Sequence, residues 1–436
     1  MRYQNSGCSR GRVCGLVLIL LGTLALSEAK AQTLTTLVNF NFSNGAYPDA
    51  GLIADANGNL FGTTVVGGAG ANFSAQIYRY GTVFEVPYIA TTGGYATTPT
   101  TLVSFDNTDG SGPTAGLIAD ANGNLFGTTQ GGGASSYGTV FEVPYNATTG
   151  YSATPTTLVS FNDSNGGYPW AGLIADSNGN LFGTNSTGGG NDYGTVFEVQ
   201  YNAATLSYAS TPTLLVSFGG TDGAWPFGSL IADASGNLFG TTQQGGAYGY
   251  GTVFEVPYNA TTGYNTTPTT LVSFNSTDGA YPFASLIADA DGNLFGTTSE
   301  GGAFANPSQK IPGYGTVFEV PYNATTGYNT TPTTLVSFDS TGGAYPDAGL
   351  IADADGNLFG TTQGGGASAF GTVFELSGSG FVPPAQFAGK PGTTNCAGVS
   401  TSTLAHTYGG LAHAATGLHF TSVGALESAI TSYCSQ

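Results

Sequence analysis

A fourteen-residue stretch from Gly116 to Thr129 occurs, almost unchanged, six times along the chain. Its first aspartate falls, in successive copies, at Asp55, Asp120, Asp176, Asp233, Asp289 and Asp353. The spacings between these aspartates are 65, 56, 57, 56 and 64 residues. A period of this size is the signature of a repeat architecture, in which each copy builds one supersecondary unit. The fold must therefore be derived from one repeat and from the way neighbouring repeats pack.

Each repeat contains four short runs with strand character. In the second repeat these are 117–120, 124–129, 138–143 and 157–161, which are rich in β-branched and aromatic residues. Clusters of glycine, proline and asparagine separate the runs, and no helical periodicity occurs in this region. Four antiparallel strands at this period predict a blade of a β-propeller. A β-solenoid is the alternative, although its coils are usually shorter than this repeat.

The two ends of the repeat region predict that the ring closes. Residues 36–40 (TLVNF) match the fourth run and precede the first repeat, whereas the last repeat ends after its third run, at 371–376. The first run can thus complete the last blade and leave no unpaired strand edge. We therefore predict an all-β domain over residues 32–376, a six-bladed β-propeller closed by its N-terminal strand.

The consensus GLIADxxGNLFGTT, followed by GGG and YGTVFEV, resembles the GloVer-type tandem-repeat family of secreted bacterial proteins, the choice-of-anchor tandem repeat proteins. The resemblance covers about residues 35–376, and all six copies carry both halves of the consensus. The family is known for its repeat and for varied C-terminal sorting segments. The resemblance implies export and a repeat fold, and it carries over no catalytic residue.

Residues 1–31 have the pattern of a secretory signal peptide. Three arginines precede an apolar run from Val13 to Leu26, and residues 29–31 (AKA) fit a small-x-small cleavage site. The run is too short to cross a bilayer. We expect a mature chain that starts at Gln32, has no transmembrane span and is secreted or held in the cell envelope, in an extracellular or periplasmic location.

Loss of this segment would leave a strongly acidic chain. Three basic and 25 acidic residues would remain, a formal net charge of −22. Such a surface repels phosphate backbones, so nucleic acid is excluded as a partner. The predicted partner is a glycan or a surface protein, bound by a monomer.

The repeated acidic residues have two interpretations each. The Asp-x-Asn-Gly-Asn segment, as in 120–124, resembles part of a calcium loop but lacks the closing bidentate glutamate, so a hairpin turn is favoured. The glutamate of GTVFEV, as at Glu142, predicts either a hydrogen bond in every blade or a ring of cation sites. Identical copies favour a packing role over a single active site. No cofactor is predicted, and calcium is the one cation left open.

A single binding site breaks the symmetry of the repeats, so the positions where the copies differ are the candidates for such a site. The loop that leads from the fourth strand to the next first strand carries three aromatic residues on consecutive blades and two acids on blades that become neighbours on closure. Both tryptophans lie in this loop, and the only basic residues of the propeller lie in two insertions of the second-to-third-strand loops. The predicted ligand-binding residues are Asp49, Trp170, Trp225, Phe227, Phe283, Asp347, Arg79 and Lys310.

These residues favour a non-catalytic binding or scaffold module for a glycan or another cell-surface ligand. The propeller has no histidine and no cysteine, which excludes Ser-His and Cys-His nucleophiles and histidine-bound metals there. Paired carboxylates remain, so a glycoside hydrolase or lyase that uses Asp49 and Asp347 is one alternative. A purely structural envelope protein, in which the aromatic residues only pack between loops, is the other.

The composition changes after Leu376. Residues 377–395 are predicted to be a linker, and 396–436 a small helical module closed by a disulfide between Cys396 and Cys434. All three histidines lie in this module, at spacings that do not predict a metal site.

Overall fold

The computed structural model describes residues 35–74, 80–305, 312–383 and 430. In this part of the chain, 33 strands form six larger sheets in tandem and five two-stranded sheets. We number the larger sheets 1 to 6 in chain order; sheets 1 to 5 have four strands and sheet 6 has three. The predicted all-β, propeller-like repeat fold is confirmed.

The strands of the larger sheets follow one pattern. The first strand is β1 Ile53–Ala54, β7 Ile118–Ala119, β13 Ile174–Ala175, β19 Ile231–Ala232, β25 Ile287–Ala288 or β31 Ile351–Ala352. The second is β2 Leu60–Thr64, β8 Leu125–Thr129, β14 Leu181–Asn185, β20 Leu238–Thr242, β26 Leu294–Thr298 or β32 Leu358–Thr362. The third is β3 Thr82–Val86, β9 Thr139–Val143, β15 Thr195–Val199, β21 Thr252–Val256, β27 Thr316–Val320 or β33 Thr372–Leu376. The fourth is β6 Thr100–Ser104, β12 Thr156–Ser160, β18 Thr213–Ser217, β24 Thr269–Ser273 or β30 Thr333–Ser337.

The two-stranded sheets are hairpins that connect the third strand to the fourth in sheets 1 to 5. They are β4 Tyr88–Ile89 with β5 Gly94–Tyr95, β10 Tyr145–Asn146 with β11 Gly150–Tyr151, β16 Tyr201–Asn202 with β17 Ser207–Tyr208, β22 Tyr258–Asn259 with β23 Gly263–Tyr264, and β28 Tyr322–Asn323 with β29 Gly327–Tyr328. We call the second tyrosine of each hairpin the hairpin tyrosine.

The strands of each large sheet pair antiparallel with their chain neighbours. Gly127 lies at the centre of β8, where a Cβ atom would come within 2.6 Å of the Phe141 ring. Only glycine therefore lets the second and third strands approach so closely. The ladder between the third and fourth strands contains a bulge at Leu158, and this bulge lets Leu158 and Val159 both face the core.

Neighbouring sheets pack face to face, and each interface has its own apolar core. A phenylalanine just after the fourth strand meets one in the third strand of the next sheet; the rings of Phe161 and Phe197, for example, are 5.0 Å apart and fully buried. A threonine hydroxyl also crosses the interface, as where Thr128 donates to the Ala171 carbonyl at 2.9 Å. Burial of each such aromatic ring stabilises the fold by about 2–3 kcal/mol.

Sheet 6 differs from the others because, among the described residues, no fourth strand pairs with β33. Residues 36–40 form no strand in the structure, and Val373 is 80% exposed, whereas the equivalent Val140 is 0% exposed. Phe40 nevertheless lies against Phe84 of sheet 1, with ring centroids 4.9 Å apart, as the phenylalanine of a preceding sheet would. Closure of the ring and the count of six complete blades remain predictions.

Residues 377–383, the start of the predicted linker, pack against sheets 5 and 6. Ser379 is 6% exposed and Phe381 is 8% exposed. The Ser379 hydroxyl donates to the Gly356 carbonyl of sheet 6 at 2.9 Å. We call residues 379–383 the strap.

Several predicted features lie outside the described residues: the signal peptide, the rest of the linker, and the Cys396–Cys434 module apart from Ile430. Among the residues that the structure does describe, no helix is long and apolar enough to cross a membrane.

Candidate functional site

Three of the predicted aromatic residues come together in one row. Trp170, Phe227 and Phe283 occupy the same loop position before sheets 3, 4 and 5. The Trp170 and Phe227 rings meet edge to face with centroids 6.0 Å apart. Phe227 and Phe283 stack at 4.7 Å, with 15° between their planes. The buried proline before each residue holds the three loops in the same conformation.

The row exposes its members unequally. Trp170 is 37% exposed, whereas Phe227 and Phe283 are half-buried and cover one face of each other. The two phenylalanines therefore serve partly as packing, and Trp170 presents the main free aromatic surface.

Asp347 occupies the equivalent loop position before sheet 6, and Glu300 of sheet 5 lies close enough to feel its charge. The Ser299 hydroxyl donates to Asp347 Oδ1 at 2.5 Å. Burial raises the pKa of the neighbouring Glu300, and the negative charge of Asp347 raises it further. Carboxyl groups of sheets 5 and 6 thus follow the aromatic row along the loops, and among the described residues Glu300 is an acid whose charge interacts with that of Asp347.

The other predicted site residues lie elsewhere. Asp49 is exposed, and its approach to Asp347 depends on closure of the ring. Trp225 lies two residues before Phe227, at the position where Tyr168 and Tyr281 of other repeats contact tyrosines of the preceding sheet. The main-chain N–H of Trp225 donates to the Tyr193 carbonyl. The structure does not describe Arg79 and Lys310.

The repeated Asp-x-Asn-Gly-Asn segments are hairpin turns. In sheet 2, Asp120 Oδ1 accepts the N–H groups of Asn122 and Asn124 at 2.9 and 2.8 Å, and Oδ2 accepts the Asn124 side-chain amide at 2.8 Å. Gly123 closes the turn with a φ of +87°, which glycine adopts without strain. Both carboxylate oxygens are therefore engaged by the turn itself. No group of three or more potential metal ligands occurs among the described residues.

The repeated glutamates line grooves between the sheets, which the sequence did not reveal. Each groove lies between the Asp turns of two consecutive sheets; we number the grooves 1 to 5 by the earlier sheet. Grooves 1 and 2 enclose about 880 and about 830 Å³. In groove 2, Glu142 faces the hairpin tyrosine Tyr208, whose ring packs on Phe126 at 5.5 Å. Groove-like cavities of this size fall in the range that ligands occupy.

Burial dominates the electrostatics of these grooves. It raises the pKa of Glu142, and the nearby Asp120 raises it further. Burial and the charge of Glu142 also raise the pKa of Tyr208 to about 12. Of the six repeated glutamates, all within the described ranges, only Glu198 accepts a hydrogen bond, from Gln200 Nε2 at 3.2 Å. The prediction of such a bond in every blade was therefore wrong for the described structure.

Solved structures that resemble the chain are distant. A putative 6-phosphogluconolactonase from Bacteroides uniformis is 11% identical, with a TM-score of 0.47, and the match covers 77% of this chain and 86% of that one. An aldose sugar dehydrogenase from Streptomyces coelicolor, solved with bound PQQ, is 12% identical, with a TM-score of 0.42 and coverage of 79% and 96%. An α-L-arabinofuranosidase from Clostridium thermocellum is 12% identical, with a TM-score of 0.33 and coverage of 65% and 93%. At these scores no activity is transferred from them.

No curated protein matches the chain. The model of the Gloeobacter/Verrucomicrobia repeat matches two overlapping regions, residues 22–211 and 144–309, which together span more than half of the sequence. These regions contain the Asp turns of sheets 1 to 5 and the paired second and third strands of sheets 1 to 4, with the glutamates of those third strands. The chain therefore belongs to the Gloeobacter/Verrucomicrobia repeat family.

Proposed function

We propose that the protein is an exported, non-catalytic binding module that holds a glycan or another cell-surface ligand at the loops before sheets 3 to 6. The observation that carries this proposal is the continuous row of Trp170, Phe227 and Phe283, which leads towards Asp347 on the next sheet. Repeats that served only for packing would keep one residue type at this position, as they do in the Asp turns.

The chemistry of the row suits a sugar. An exposed aromatic face covers the apolar side of a pyranose ring, and a carboxylate accepts hydrogen bonds from its hydroxyl groups. Trp170 supplies the exposed face, and Asp347 supplies the acceptor. The acidic surface suits neutral or basic ligands better than anionic ones.

A glycan array probed with the purified protein, with and without calcium, tests this proposal. Replacement Trp170→Ala should reduce binding of any retained glycan by about tenfold or more, the loss expected when one stacking contact is removed. Trp225→Ala is the matched control, because Trp225 is 36% exposed but lies at the other loop position. Absence of binding, or equal losses in both variants, would favour the structural alternative.

A carboxylate-based hydrolase or lyase is the second candidate. It is supported by the proximity of Glu300, whose pKa is raised, to Asp347, because unequal carboxyl environments are what acid–base catalysis on a glycosidic bond requires. Turnover of chromogenic glycosides that is lost in Glu300→Gln, with glycan binding retained, would support it. Binding without turnover would support the non-catalytic module.

A further inference from the structure

The strap occupies groove 5 and shows what a groove can hold. The Phe381 ring packs on Phe295 with centroids 5.1 Å apart, in the place of a hairpin tyrosine. The next residue, Val382, forms two hydrogen bonds with the Asp turn of sheet 5. The Ala290 N–H donates to the Val382 carbonyl at 2.8 Å, and the Val382 N–H donates to Asp289 Oδ2 at 3.4 Å.

These two bonds recognise main chain rather than a particular side chain. A residue held in this way needs a free N–H and a free carbonyl in an extended conformation, which is how sheet edges bind peptides. Pro383 follows directly and favours the extended conformation of Val382. The Ala290 N–H and the Asp289 carboxylate can therefore bind an extended segment in which proline follows the bound residue.

Grooves 1 and 2 carry the same two groups, a turn N–H and an aspartate Oδ2, and no segment of the described chain binds to both. The Oδ2 atoms of Asp55 and Asp120 also accept the side-chain amides of Asn57 and Asn122 at 3.4 Å, which a bound N–H would share or replace. The Asp turns there begin with Asp55-Ala56 and Asp120-Ala121, as the turn of sheet 5 begins with Asp289-Ala290. These residues line the two open grooves: Asp55 and Ala56 line groove 1, and Asp120 and Ala121 line groove 2. Within the described residues, the main-chain N–H groups of Ala56 and Ala121 have no protein partner.

The cavity volumes of the grooves also indicate that the strap fills space in groove 5 that is open in grooves 1 and 2. The cavity that remains beside Phe381 and Pro383 in groove 5 is about 330 Å³, against about 880 and about 830 Å³ in grooves 1 and 2. Hairpin tyrosines already fill the ring position in these two grooves, through Tyr151 and Tyr208. The open space therefore corresponds to the part of the strap that follows its aromatic residue.

We propose that grooves 1 and 2 bind an extended, proline-containing segment of a partner polypeptide, through the main-chain bonds that hold Val382 in groove 5. The partner supplies an aliphatic residue followed by proline, with the carbonyl of the aliphatic residue on the Ala56 or Ala121 N–H and its N–H on the neighbouring aspartate. This site is separate from the aromatic row and does not depend on the function proposed for it.

The probe is the acetylated, amidated peptide Ser-Gly-Gly-Val-Pro-Pro, which has the sequence of residues 379–384 with glycine in place of Phe381, because Tyr151 and Tyr208 already fill the ring position in grooves 1 and 2. Its fluorescein-labelled form should bind the full chain in an anisotropy titration, and unlabelled peptide should displace it. Methylation of the valine nitrogen removes the donor to the aspartate and should weaken binding by about tenfold. No saturable binding, or equal binding of the methylated peptide, would overturn the proposal.

The protein side is tested with the double variant Ala56→Pro, Ala121→Pro. Each alanine is the second residue of a four-residue turn, a position that favours proline, so the turn should survive while its N–H is lost. The variant should melt like the wild type and lose peptide binding. Ala354→Pro in the turn of sheet 6 is the control and should bind normally. Retained binding in the double variant would refute the main-chain model.

Discussion

The Phe381 ring lies 5.1 Å from Phe295, and this contact reproduces the one that Tyr208 makes with Phe126 at 5.5 Å. In the described part of the chain, sheet 6 has no tyrosine hairpin, and a segment from beyond the repeats completes the interface between sheets 5 and 6. The core between sheets 5 and 6 therefore combines repeat residues with one phenylalanine from a sequence that does not resemble the repeat.

Loss of the strap's aromatic residue should destabilise the array. Phe381 is 8% exposed and belongs to the core between sheets 5 and 6, so Phe381→Ala should reduce the free energy of unfolding by about 3 kcal/mol. Phe381→Tyr should cost less than about 1 kcal/mol, because a tyrosine fills the equivalent position in the other grooves. Urea unfolding measures both. An unchanged midpoint for Phe381→Ala would show that the strap contributes no packing energy.

The groove glutamates should make the protein more stable in mild acid than at neutral pH. The pKa of Glu142 in the folded protein is raised above its ordinary value of 4.5, so folding favours the protonated form. The stabilisation is fully present below pH 4.5 and is lost as the pH rises through the folded pKa. Charged Glu142 therefore costs stability at pH 7.

The variant Glu142→Gln isolates this effect. It should raise the melting temperature at pH 7, and the gain should shrink as the pH falls through the raised pKa of Glu142 and vanish once the pH is below 4.5. Glu375→Gln serves as the control because Glu375 is exposed at the end of the array. A gain in Glu142→Gln that does not depend on pH would contradict the assignment to desolvation.

The repeat period, the strand pattern and the Asp turns could be predicted from the sequence because each depends on contacts within one copy. Hydrophobic alternation gives the strands, and glycine at position 123 marks the positive φ of the turn. The row of Trp170, Phe227 and Phe283 could also be found, because equivalent loop positions of successive repeats must lie on neighbouring sheets.

The features that were missed depend on contacts between copies. Nothing in the local sequence shows that Tyr208 crosses to the groove of sheet 2 or that Phe381 takes the place of such a tyrosine. The pairing of Glu300 with Asp347 also joins the loop of one sheet to that of the next. Comparison of the six copies could have suggested the groove, because the hairpin tyrosine recurs in the first five repeats and is absent from the sixth.

The Asp turns should be stabilising elements that need no calcium. Asp120→Ala removes the acceptor of four hydrogen bonds and should cost about 2 kcal/mol, whereas Asp120→Asn keeps one oxygen acceptor and should cost less. The melting temperature should stay the same with EDTA or with added calcium, because the carboxylate oxygens already accept N–H groups. A calcium-dependent rise in the melting temperature that Asp120→Asn abolishes would establish a cation site instead.

Residues 36–39 should complete sheet 6 in the register of the other sheets. In sheet 2, Val159 lies opposite Val140, so Val38 should lie opposite Val373. Phe40 already contacts Phe84 as the phenylalanine of a preceding sheet does.

Hydrogen exchange measured by mass spectrometry tests this pairing of residues 36–39 with β33. The amides of residues 371–376 should be protected to the same order as those of residues 138–143. Val38→Pro removes a ladder donor and should speed exchange in 371–376 while leaving 138–143 unchanged. Rapid exchange of 371–376 in the wild type, with no further change in Val38→Pro, would mean that the edge of β33 stays open, and sheet 6 would then be the end of the array rather than its closing blade.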